Sequence, residues 1–170
     1  AGVARDMGEA ALVCLGAVVE QNNGSLEFWQ KYCAIEAPSL AFPADAVEAI
    51  RGLGAAATGL LDRKAAGDVR FRVAGMALND LMGMELRGMH LRSVIEPSAR
   101  AEFSASLEKM FETPEIQEYQ LRSAPEHAPA LQARLLVLPL KDDKGDVSRA
   151  MGCLVTNGIV GIPPRRFTVD

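Results

Sequence analysis

Histidines and cysteines are the residues of this sequence best suited to nucleophilic catalysis or metal binding. There are two histidines, His90 and His127, and three cysteines, Cys14, Cys33 and Cys153. They are widely spaced, so they offer no Cys-x-x-Cys pair and none of the ligand spacing of a zinc site. Nucleophilic catalysis needs a base beside a serine, cysteine or threonine, and neither histidine lies in such a motif. We therefore expect no enzymatic activity, no catalytic residues and no bound metal.

Methionines are the second chemically distinctive group. Five of the seven fall in one stretch, at positions 76, 82, 84, 89 and 110. Their flexible thioether side chains suit an adaptable apolar pocket, although simple filling of a core is the more economical explanation. The pair Gly52 and Gly54 lacks the other glycines and the lysine of a nucleotide-binding loop. A pocket for an apolar molecule is the binding site that these residue types favour.

Composition limits the class of protein further. The 170 residues are 49% hydrophobic and 24% charged, with a net charge of −4, which indicates one globular unit. Without a clustered basic surface, we expect no binding to nucleic acid. The apolar stretch Ala10–Val19, bracketed by Glu9 and Glu20, is too short to span a bilayer, so we expect no membrane association. The odd number of scattered cysteines suits a reducing compartment, and we expect a cytoplasmic protein.

The secondary structure that the sequence predicts around such a pocket differs between the N-terminal part of the chain and the rest. Residues 7–21 have apolar side chains at helical intervals, which predicts an amphipathic helix in the N-terminal extension, residues 1–24. Two further short helices are predicted at Leu26–Ala34 and from Pro43 to the break at Gly52.

After Gly54 the apolar period changes from 3.6 to 2, which indicates strands. The predicted strands are Ala55–Asp62, Asp68–Ala74, Ile116–Ser123, Leu131–Leu140 and Val147–Thr156. Hairpin linkers join the first two and the last two, so the pairing is antiparallel. The helical stretch Met76–Thr113 is too long for a loop and must cover one face of the sheet. We therefore predict an α+β fold with a five-stranded antiparallel sheet and helices on one face.

Local motifs add a family resemblance. They read Val69-Arg-Phe-Arg-Val-Ala-Gly75, then Leu78-x-x-Leu81-Met-Gly83-x-Glu85-Leu-Arg-Gly88, and later Ile95-Glu-Pro97. This pattern resembles the alphaproteobacterial PAS_5 family of PAS domains over about residues 26–157. We accordingly divide the chain into the extension 1–24, a PAS domain at 25–157 and a C-terminal tail at 158–170.

Other PAS domains hold haem or flavin between the sheet and the helices. The resemblance therefore raises the question whether this sequence has the residues that bind either cofactor. Alignment on Glu96-Pro97 puts Phe103 at about the position of the haem-ligating histidine, and phenylalanine cannot bind iron. The reactive cysteine of flavin-binding PAS domains falls within Met89-His90-Leu91-Arg92, which has none. We expect no cofactor, with haem ligation by His90 in an unusual mode left as a minor alternative.

We expect a stand-alone bacterial PAS sensor in signal transduction that binds a small apolar or aromatic ligand, an unknown signalling partner, or both. A ligand-free structural module for protein interaction or dimerisation is the alternative. Strand alternation and helix period direct one set of side chains toward the space between sheet and helices. These predicted ligand-binding residues are Met76, Leu81, Met89, Phe103, Leu107, Tyr119, Leu121, Met151 and Cys153.

Two apolar surfaces remain to be covered, and together they predict a homodimer. One is the stripe of the N-terminal helix that includes Leu15, Val18 and Val19. The other is the outer face of the sheet, where we place three leucines. These are Leu136, Leu138 and Leu154. One helix covers only part of such a sheet, and two-fold pairing would bury the remainder.

Overall fold

The computed structural model describes residues 58–115, 117–142 and 144–170, without the side chains of Thr58 and Leu138. The predicted helices before residue 57, and with them Leu15, Val18 and Val19, lie outside the described residues. Within them, no helix is long and apolar enough to cross a membrane.

One antiparallel sheet forms the centre of the fold. Its strands are β1 Thr58–Ala65, β2 Asp68–Ala74, β3 Gln117–Ser123, β4 Leu131–Lys141, β5 Val147–Asn157 and β6 Thr168–Val169. They are arranged in the order β2-β1-β5-β4-β3-β6. The antiparallel α+β prediction is confirmed, and the five predicted strands correspond to β1 to β5, although β1 extends three residues farther than predicted, to Ala65. The additional strand, β6, pairs with β3 and comes from the segment assigned to a tail outside the domain.

The helical connection between β2 and β3 contains two α-helices and two 3₁₀ turns. Helix α1 spans Met76–Met82 and α2 spans Arg100–Glu112, with 3₁₀ turns at Leu91–Val94 and Pro97–Ala99 between them. Helix α1 ends at Gly83, whose φ of 68° is in the left-handed region and whose N–H group points back to the carbonyls of Asn79 and Asp80. The chain can therefore turn sharply there and end the helix.

Cross-strand register divides the sheet into two faces. Leu135 lies opposite Leu154, and both belong to the core formed with the helices. Their sequence neighbours Leu136 and Cys153 also lie opposite each other, on the other side. Because adjacent residues of a strand point to opposite faces, this pairing defines an inner, helix-covered face and an outer face.

Helix α2 is fixed to the inner face by apolar packing and by one ion pair. Its buried side chains are Phe103, Leu107, Met110 and Phe111. Arg63 of β1 donates through Nε to both carboxylate oxygens of Glu108, at 3.0 and 3.2 Å. That hydrogen bond, assisted by one from the N–H group of Gly67, lowers the pKa of Glu108 below its usual value.

The β4–β5 hairpin is organised by Asp142, one of two adjacent aspartates in the sequence. Its carboxylate accepts a hydrogen bond from the Ser148 hydroxyl at 2.7 Å and from the backbone N–H groups of Lys144 and Asp146 at 2.9 and 3.0 Å. These bonds, led by that from Ser148, lower the pKa of Asp142. The aspartate therefore serves the turn and does not belong to a site for chemistry.

Candidate functional site

The candidate site is an apolar cavity between the inner face of the sheet and helix α1. Its volume is about 30 Å³. Sheet and helical segments both contribute to its lining, which consists of hydrocarbon and thioether groups with backbone at two glycines. The lining residues are Gly59, Leu61, Phe71, Leu78, Leu81, Met82, Leu86, Leu91, Val94, Leu135, Gly152, Leu154 and Phe167.

Two glycines open this space from the side of the sheet. Gly59 of β1 and Gly152 of β5 lie directly opposite each other, so no side chain projects from either toward α1. Larger residues surround the pair, including Leu61, Phe71 and Leu135. The cavity is therefore a consequence of two small residues meeting in register at the centre of the sheet.

Size and polarity limit what the cavity accepts. A buried water requires two to four polar partners, which an apolar lining does not provide, and dry cavities of this kind bind small apolar molecules. Benzene is held by a cavity of about 150 Å³. At about 30 Å³, the described space is too small for an aromatic ring unless a lining side chain moves.

Among the predicted ligand-binding residues, Leu81 lines this cavity. Met76, at the start of α1, is 73% exposed and points away from the core, so its assignment to the pocket is wrong. Met89 packs against the core as a partly buried residue. Met76 is the first residue of α1 and Met89 lies in the connection that follows the helix, and at such positions helical period alone does not determine which side faces the sheet.

Tyr119 and Leu121 are buried on the inner face, as predicted, but neither they nor any other residue of β3 lines the cavity. The Tyr119 hydroxyl is 3.0 Å from the hydroxyl of Ser106 on α2. Its ring lies 4.9 Å from that of Phe103. Burial raises the pKa of Tyr119. The hydroxyl is therefore used to join α2 to the sheet and does not point into the cavity.

Phe103 and Leu107 line a second, smaller cavity of about 10 Å³ beside the β1–β2 hairpin. His90 and Glu108 also contribute to it. The Nδ1 atom of His90 is 3.3 Å from a carboxylate oxygen of Asp68 but makes no hydrogen bond to the described residues. This space holds no more than a water molecule, and the two predicted residues serve as core packing around it.

The predicted face of β5 is wrong. Met151 and Cys153 were assigned to the pocket, whereas both lie on the outer face, opposite Leu138 and Leu136. Leu154 was assigned to the outer dimer surface, whereas it lines the cavity. Both faces of β5 are apolar, so alternation alone could not orient it. The pairing of Gly152 with Gly59 decides the orientation, because α1 packs on the side with small residues.

The set of predicted ligand-binding residues also omits Phe71 and Phe167, which line the cavity. Phe71 alternates with Arg70 and Arg72 in the sequence, and that signal could have placed it on the inner face. Phe167 follows Pro163-Pro164 and has no periodic neighbours. It is nonetheless fully buried and lines the cavity, since its segment folds back over the core.

The cavity does not fit haem or flavin. Porphyrin and isoalloxazine ring systems are larger than benzene, which already exceeds the described volume. The described lining includes neither histidine nor cysteine, and Cys153 lies across the sheet from it. The described lining therefore offers no histidine to ligate iron and no cysteine to form a thiol adduct with a flavin.

Comparison with solved structures shows the fold. A light-oxygen-voltage domain from work with a flavin analogue has a TM-score of 0.50 at 17% identity, over 67% of this chain and 85% of that chain. The light-oxygen-voltage protein of Rhodobacter sphaeroides also has a TM-score of 0.50, at 16% identity over 67% and 68%. A variant of the Vivid protein reaches 0.51 at 14% identity over 73% and 87%.

The sequence itself matches the family model of the PAS_5 PAS domain over residues 53–155. A comparison with curated proteins found no match. The matched residues include β1 to β4 and nearly all of β5, together with both α-helices. Since the match extends over more than half of the chain, and the fold agrees with it, the chain belongs to the PAS_5 family of PAS domains.

Proposed function

We propose that this PAS domain is a sensory domain in signal transduction, and that a small apolar or aromatic ligand binds in the cavity between the sheet and α1. The observation that carries the proposal is the cavity itself. Protein cores are packed with few voids, and this one lies between two central strands of the sheet and α1, the shorter of the two described α-helices. Its apolar lining favours a guest that needs no hydrogen bonds.

The lining supports uptake of such a guest because part of it is adaptable. Met82 at the end of α1 has an unbranched thioether side chain that can change rotamer at low cost. Helix α1 has seven residues and is followed directly by the turn at Gly83. A small outward movement of α1 would enlarge the cavity without breaking a strand pair. The proposal includes no catalytic step.

Native mass spectrometry of the protein purified from its own host tests the proposal. We expect a small molecule that is retained in the folded protein and lost on denaturation. The matched control is Gly152→Ala, which places a methyl group in the cavity and should reduce the retained fraction. Protein that carries no ligand from its host, and takes up no benzene when benzene is added, would instead indicate the ligand-free interaction module.

We further propose that the domain forms a homodimer in the cytoplasm and reports to a protein partner. On the outer face, Leu136, Met151 and Cys153 are apolar, are adjacent through the β4–β5 register and are already buried within the single chain. The N-terminal stripe with Leu15, Val18 and Val19 supplies a second apolar surface in the sequence. Because the outer-face residues are already buried in the single chain, the proposal rests on the N-terminal stripe, which needs an apolar partner surface that a second copy of the chain can supply.

A further inference from the structure

The segment after β5, residues 158–170, closes the cavity from one side. We call it the strap. Its Phe167 side chain is fully buried and forms part of the cavity wall. Two backbone hydrogen bonds fix this residue, because its N–H group donates to the carbonyl of Val94 at 2.9 Å and its carbonyl accepts from Glu96 at 2.7 Å. Phe167 therefore occupies space directly beside any guest in the cavity.

The strap is anchored to the same residues that line the cavity. The N–H group of Arg165 donates to the carbonyl of Leu81 at 2.8 Å, and that of Phe167 to the carbonyl of Val94. Both Leu81 and Val94 are lining residues. A guest that displaces either side chain thus acts on a residue whose backbone holds the strap.

A buried arginine fastens the strap to the sheet. The Arg165 side chain is fully buried, and its guanidinium donates to the Ser123 hydroxyl and to the carbonyls of Ser123, Pro129 and Val160. All four acceptors are neutral oxygen atoms. Burial of a charge is unfavourable unless its partners compensate fully, and release into water would restore the hydration of the guanidinium. The four hydrogen bonds therefore fix the geometry of the strap. The free energy needed to release it is reduced by the hydration that the guanidinium regains in water.

Beyond these anchors, the strap is attached lightly. Strand β6 pairs with Leu121 and Arg122 of β3 at the edge of the sheet, over two residues. The N–H group of Asp170 adds a hydrogen bond to the carbonyl of Gln120 at 2.8 Å, and the Thr168 hydroxyl adds one to the carbonyl of Arg122 at 3.1 Å. Ile159 and Ile162 of the strap are 72% and 66% exposed and add little burial. Displacement of Phe167 would thus free the β3 edge as well.

We infer that the strap is the output element of the ligand site: a guest of aromatic size takes the place of Phe167 and releases residues 158–170 from β3. This inference rests on the proposed function and adds how occupancy is transmitted. The described cavity, at about 30 Å³, is too small for a ring, and replacement of the neighbouring phenyl group provides the missing volume. Ligand and docked strap then exclude each other.

Benzene is the probe for the test, with binding followed by calorimetry and the strap by amide hydrogen exchange. In the wild-type chain, saturating benzene should accelerate exchange at the amides of Arg165, Phe167 and Asp170 at least tenfold, while the amides of β4 and β5 stay protected. Phe167→Ala should bind benzene at least tenfold more tightly than wild type, because no side chain must be displaced. The matched control Ile162→Ala, an exposed residue of the same strap, should bind as wild type does.

The outcomes separate this inference from the proposed function. If benzene binds to the wild-type chain and the strap amides keep their protection, the strap inference is overturned and the cavity remains a ligand site. If neither wild type nor Phe167→Ala binds benzene, the ligand site fails and the strap inference with it. Should Phe167→Ala not fold, hydrogen exchange on the wild-type chain decides alone.

Discussion

The paired glycines at the centre of the sheet give a quantitative test of the cavity. A Cβ atom at Gly152 would have its nearest neighbours at 3.8 Å, the Cδ1 atoms of Leu61 and Leu135. That is ordinary van der Waals contact. At Gly59, a Cβ atom would lie 3.2 Å from the carbonyl oxygen of Val73 and 3.4 Å from the side chains of Leu78 and Phe71. The two positions are cross-strand neighbours on one cavity, yet one has room for a methyl group and the other does not.

Gly152→Ala should therefore stabilise the domain. Burial of one methyl group contributes about 0.8 kcal/mol. Loss of the conformational freedom of glycine in the unfolded chain adds about 0.4–1 kcal/mol. Together they raise the free energy of unfolding by about 1.5 kcal/mol. Gly59→Ala has the same entropic benefit from the unfolded chain, but its methyl group would have to displace the backbone at Val73. Overpacking of this kind costs about 1–3 kcal/mol. We expect Gly59→Ala to be neutral or less stable than wild type.

Urea denaturation of both variants measures this difference. With a slope of about 2 kcal/mol per molar, Gly152→Ala should raise the midpoint by about 0.7 M at unchanged slope. The urea midpoint of the wild type should then lie between those of the two variants or equal that of Gly59→Ala. If Gly152→Ala is the less stable of the pair, the space above Gly152 is already filled and the reasoning from the cavity is refuted.

Three further perturbations test other contacts. The Arg63 hydrogen bond lowers the pKa of Glu108, so its stabilisation is complete above the ordinary value of 4.5 and is lost as the pH falls through the lower folded value. Glu108→Gln should reduce stability at pH 7 by about 1 kcal/mol and flatten the acid limb of a stability–pH profile, and an unchanged limb would contradict this. Tyr119→Phe removes the bond to Ser106 and should lower the thermal midpoint by an amount equivalent to about 1 kcal/mol, whereas no change would show that water satisfies both hydroxyls equally well. Light scattering should give a dimer mass that Leu15→Asp halves with the sheet intact, and a monomeric wild-type mass would rule out the dimer.

Local patterns were sufficient to predict most of the sheet. Alternation and hairpin glycines placed β2 and β4 to within a residue, since turn chemistry and period are properties of short segments. The orientation of β5 was not predictable in this way. Met151 and Cys153 are as apolar as Ala150 and Leu154, so only knowledge of which residues lie opposite them on β1 identifies the inner face.

The strap was beyond sequence reasoning for a different reason. Arg165 and Phe167 flank Arg166 in a stretch with two prolines, which favours an exposed tail. Burial of Arg165 depends on backbone carbonyls from the β3–β4 connection and from the strap itself. Those acceptors are present in every sequence, and only their convergence in space makes a site for a guanidinium.

The position of β1 beside β5 has a consequence for synthesis of the chain. The two strands pair although their residues are about 90 positions apart, whereas β1–β2 and β3–β4–β5 each pair with near neighbours. At a translation rate of about 5–20 residues per second, the β1–β2 hairpin leaves the ribosome roughly 5–15 s before β5. Throughout that interval, one edge of β1 is unpaired and open to strands of other nascent chains. The run Asp62-Arg63-Lys64 places charges along this edge, and charged edges disfavour such pairing. The same residues form ion pairs in the finished sheet. They therefore disfavour pairing with other chains before β5 is synthesised, and they contribute contacts to the sheet once β5 has paired with β1.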